Sequence, residues 1–71
     1  MKNLHLISEL MQRVMTFDND DFKVTFRTTG IATAVYANDV PMVIDNEQLT
    51  HQKVAEIVSE IERLSKESCH A

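Results

Sequence analysis

Glycine, proline and cysteine each occur once in this chain of 71 residues, and tryptophan does not occur at all. Each scarcity excludes a class of function. With Gly30 as its only glycine, the chain cannot build the glycine-rich loop that cradles nucleotide phosphates. Cys69, standing alone, cannot close an intrachain disulfide, and His5, His51 and His70 are too scattered to give a zinc-binding spacing. No metal and no cofactor are expected. Pro41 has no amide hydrogen to give to a sheet, so any strand that holds it must lie at an edge.

Positive charge is also scarce, with seven Lys and Arg against eleven Asp and Glu, a net charge of -4. A domain that binds nucleic acid usually carries a basic field, so nucleic acid is not the expected partner. No apolar run reaches the length needed to span a bilayer, and the N-terminus lacks the apolar core of a signal peptide. The expected setting is the cytoplasm, with no membrane association.

Catalytic groupings are missing as well. Ser8, Ser59, Ser65 and Ser68 fall on predicted helices or the C-terminal tail, where no strand-to-helix nucleophile elbow can form. Cys69-His70 sits on a terminal segment without the fixed geometry that nucleophilic catalysis needs. No catalytic residue is expected, and the chain reads as something other than an enzyme.

What is present is clear periodicity. Residues 4–17 predict a helix on which Leu4, Leu6, Ile7, Leu10, Met11, Val14, Met15 and Phe17 occupy one half of the wheel. A surface helix needs an apolar stripe only somewhat wider than ~100°, and this one covers about 180°. Such a helix should touch two bodies: its own sheet and something else. Asp18-Asn19-Asp20-Asp21 then ends it, reading as a solvated turn because an EF-hand cation loop would need a glycine and a distal glutamate.

From Phe22 to Ile44 the pattern changes to alternation and predicts a three-stranded antiparallel meander. A tight turn at Thr29-Gly30 would pair Thr28 with Ile31, Phe26 with Thr33 and Val24 with Val35. A second turn at Asn38-Asp39 would pair Ala37 with Val40, Val35 with Met42 and Thr33 with Ile44. One face then gathers Phe22, Val24, Phe26, Ile31, Val35, Val40, Met42 and Ile44. The other carries Lys23, Thr25, Arg27, Ala32, Ala34, Tyr36 and Val43.

Residues 50–67 predict the last helix, opened by a Thr50 cap and a Leu49–Val54 staple, with Val54, Ile57, Val58, Ile61 and Leu64 as its stripe. Residues 68–71 are expected to fray. The fold class is therefore α+β in the order α-β-β-β-α, one small domain over residues 1–71, with both helices on the apolar sheet face.

A chain this short needs help to fold. Disulfide and metal are excluded, which leaves self-association, so a homodimer is expected. Its surface is expected along the first helix at Leu6, Leu10, Met11, Val14 and Phe17. A partner protein is expected on the sheet face of Lys23, Thr25, Arg27, Ala32, Ala34 and Tyr36. The chain thus reads as an adaptor, chaperone or inhibitor. The alternative is a small-ligand pocket between the first helix and the sheet, lined by Leu10, Met11, Val14, Phe26 and Met42. A weaker alternative is nucleic-acid binding through Lys23, Arg27 and Tyr36.

Overall fold

The computed structural model describes residues 3–68, so Cys69, His70 and Ala71 of the expected tail lie outside the described residues, while Ser68, expected to fray, is the last residue of the final helix. The chain forms α1 (Leu4–Met15), β1 (Val24–Thr28), β2 (Ala32–Ala37), β3 (Val40–Asp45), a 3-10 turn (Asn46–Gln48) and α2 (His51–Ser68). The sheet is antiparallel with β2 in the middle. This is the expected α-β-β-β-α order, and α1 packs against both β1 and α2.

Helix α1 stops two residues earlier than its apolar pattern. The Thr16 hydroxyl bonds back to the Arg13 carbonyl, and the Phe17 and Asp18 amides bond to Val14 and Met15 as the last turn tightens. Asn19 then organises the acidic turn, its Oδ1 accepting the amide hydrogens of Asp21 and Phe22 at 2.7 and 2.9 Å.

At its start α1 is tied down from a distance. Asn3, in the left-handed region at φ 60°, makes no side-chain cap. Its Nδ2 instead donates to the carbonyls of Asn46 and Leu49. This joins the first turn of the chain to the connection before α2.

The second hairpin has the expected register, with Asn38 at φ 53° and Val35 opposite Met42. The first does not. Its corner falls at Gly30-Ile31, and Phe26 faces Val35 while Val24 faces Ala37. The cause is Thr29, whose Oγ1 accepts the amide hydrogens of Ile31 and Ala32 at 3.1 Å and favours a turn one residue later. Gly30 has no positive φ, so the glycine-dependent tight hairpin is not used. Because the pairing slips by two residues, side chains keep their faces. Only Ile31 is displaced: expected on the apolar face, it sits in the turn, 78% exposed.

Helix α2 opens as its sequence predicts. Thr50 Oγ1 accepts the Lys53 amide hydrogen at 3.1 Å, and Leu49 and Val54 are both buried. The core joins Leu6, Ile7, Leu10 and Val14 of α1 and Val54, Val58 and Ile61 of α2 to Phe22, Val24, Val35 and Ala37. No described helix is long and apolar enough to cross a membrane.

Candidate functional surfaces

Helix α1 divides its wide apolar half between two environments. Leu6, Leu10 and Val14, expected to form an association surface, are enclosed by their own chain, and Phe17 is half-buried against the same core. Of the expected set only Met11 is exposed. The remaining oily surface lies along the outer edge of the arc, where Leu4, Met11 and Met15 are 59%, 41% and 38% exposed. Their spacing of i, i+7 and i+11 sets them in one line on the helix.

The surroundings of this line are electrically quiet. Ser8 and Gln12, the positions that flank it round the helix, are neutral, while the Glu9–Arg13 pair at 3.5 Å lies on the opposite side. Helix α2 differs: Arg63 bonds to both Glu60 and Glu67, and Lys66 pairs with Glu62 at 3.4 Å. The Arg63 hydrogen bond holds the Glu60 carboxyl below its ordinary range, although about half of each side chain is open to solvent.

The sheet face turned away from the core brings the expected partner-binding residues together. In the observed register Thr25, Tyr36 and Pro41 form one row across the strands, and Arg27, Ala34 and Val43 the next. Tyr36 thus stands opposite Thr25, with Lys23 and Arg27 on its two diagonals, rather than opposite Lys23. Ala32 and Ala34 are half-buried, while Lys23, Thr25 and Arg27 are exposed. Val43, at 66% exposed, extends the apolar strip onto β3.

Two of the residues expected to line a small-ligand pocket have no exposed surface. Leu10 and Val14 are completely buried, because α1 packs directly onto β1 and α2. A cleft lies instead between β3 and α2, and shares only Met42 with the expected lining.

Two arrangements were not legible in advance. His5 and His51, far apart in sequence, bring their rings to 6.3 Å between centroids. The second is buried and polar: Asn46 Oδ1 accepts the Thr33 hydroxyl at 2.7 Å, and its Nδ2 donates to the Thr29 carbonyl at 2.8 Å. The alternation of β2 marks position 33 as inward, but an inward threonine gives no sign of its partner. Among the described residues no three His, Cys, Asp or Glu side chains gather in a way that could hold a metal ion. Comparison with protein-family models, with curated proteins and with solved structures finds no match.

Proposed function

We propose that this chain is a non-catalytic protein-interaction module that works as a homodimer, two copies meeting along the outer stripe of α1. The observation that carries this reading is the exposure of Leu4, Met11 and Met15 on a helix whose other apolar residues are already in the core. A two-fold axis sets the same stripe against itself, and methionines adapt their shape to such a contact. The neutral Ser8 and Gln12 beside the stripe keep the cost of desolvation low.

Helix α1 has 12 residues, or about 18 Å of length, so the seam is short and the affinity belongs in the micromolar range. The sheet face of Lys23, Thr25, Arg27, Ala32, Ala34 and Tyr36 stays open in such a dimer and offers itself to a protein partner, as in an adaptor, chaperone or inhibitor. Its apolar centre, with cations only on the β1 side, suits a protein better than a nucleic acid. Sedimentation of the wild type and of Met11→Glu across the micromolar range tests the dimer: the wild type should associate and the variant should not.

A further inference from the structure

The cleft between β3 and α2 has a volume of about 470 Å³, and half-buried Met42, Ile44 and Ile57 line its apolar part. Lys53 and Glu56 of α2 stand at its rim, paired with each other at 3.6 Å. The wall opposite α2 is the free edge of the sheet.

Antiparallel pairing points successive backbone groups alternately toward and away from the neighbouring strand. The Asn46 amide donates to the Ile31 carbonyl at 2.9 Å and continues the β2–β3 ladder, so Val40, Met42 and Ile44 bond inward. Pro41, Val43 and Asp45 therefore turn their backbone groups outward. The edge offers the Pro41 carbonyl, both groups of Val43 and the Asp45 amide, and the missing hydrogen of Pro41 removes only one donor. An unpaired edge running beside a partly apolar trough is the arrangement that captures an extended chain by strand addition.

We propose that this cleft binds an extended peptide segment of a partner protein, which adds as a fourth strand antiparallel to β3. The central peptide residue pairs with Val43 through both backbone bonds, placing its side chain on the open sheet face. The residues on either side of it point the other way, beside Ile44 and Met42 and toward Ile57, so both are apolar and two positions apart. The residue opposite Asp45 lies across from an exposed carboxylate and is Lys or Arg. The site is separate from the α1 stripe and does not depend on dimerisation.

The probe is the labelled peptide acetyl-Ser-Lys-Ile-Thr-Val-Thr-Ser-amide, titrated into the full chain by fluorescence anisotropy and by amide NMR. Saturable binding is expected, with the largest shifts at the Val43 and Asp45 amides. Methylating the amide nitrogen of the central threonine removes one backbone bond and should weaken binding about tenfold. Val43→Pro should do the same, since an outward edge position tolerates proline as position 41 does, and a circular dichroism melt checks that this variant folds. Met11→Glu should bind as the wild type does, which separates this site from the dimer seam. No saturable binding, equal binding of the methylated peptide, or loss of wild-type self-association in a folded Val43→Pro variant would overturn the proposal; the last result would show that a second copy, not a peptide, takes the edge.

Discussion

Asp18 reaches across the acidic turn to Val24, its Oδ1 accepting the Val24 amide hydrogen at 2.9 Å. On β1 the odd residues bond toward β2, as the Asn38–Lys23 bond shows, so the Val24 amide points out at the free edge. A carboxylate thus occupies the first donor that an added strand would seek. Asp18→Ala removes this acceptor and should lower stability by about 1 kcal/mol. Urea denaturation measures the change, and an unaltered midpoint would show that the bond contributes nothing.

Phe22, in the turn before β1, and Phe26, on β1, differ in burial, and so should their truncations. Phe22 is completely buried, and Phe22→Ala should cost on the order of 3–5 kcal/mol, enough to unfold so small a chain. Phe26 is only half-buried, and Phe26→Ala should cost roughly half as much. Thermal melts of the two variants should rank in that order.

Asn46 and Thr33 satisfy each other in the interior, where both are almost completely buried. Thr33→Val should leave the Asn46 Oδ1 without its donor and cost about 1–3 kcal/mol despite replacing the hydroxyl with a methyl group. Asn46→Ala should cost at least as much, because it also removes the Nδ2 donor from the Thr29 carbonyl. Equilibrium denaturation of the single and double variants should show strong coupling, with the double costing less than the sum.

The pairing of Glu60 with Arg63 has a definite sign in pH. Hydrogen bonding from the guanidinium lowers the folded-state pKa of Glu60, so whatever the pair contributes is present above the ordinary glutamate range. It is lost as the pH falls through the lowered value. Carboxyl NMR titration should place the Glu60 midpoint below those of glutamates without such a bond, and Arg63→Ala should return it to the ordinary range. Added salt should shrink the difference, because both side chains are open to solvent.

Much of this fold could be read from residue order because local signals agreed with the global arrangement. The Thr50 cap, the Leu49–Val54 staple and the Asn38 turn each act over a few residues, and each has its expected geometry. The first hairpin was harder to read because the Thr29 hydroxyl competed with a glycine-based turn, and periodicity alone cannot tell two registers of equal parity apart. The division of α1 was not legible either. A helical wheel gives the width of an apolar arc but not which part of it faces the chain's own core. The structure assigns Leu6, Leu10 and Val14 to the interior and leaves Leu4, Met11 and Met15 outside. The bonds from Asn3 to the carbonyls of Asn46 and Leu49 join positions more than 40 residues apart, beyond the reach of any local pattern.

Sedimentation velocity across the micromolar range, with wild type and Met11→Glu side by side, addresses the account most directly. The wild type should shift from monomer to dimer as concentration rises. Met11→Glu should remain monomeric at every concentration with an unchanged circular dichroism spectrum, since the side chain lies outside the core. A wild type that stays monomeric throughout, or a Met11→Glu variant that dimerises equally well, would contradict the claim that α1 is a seam between two copies.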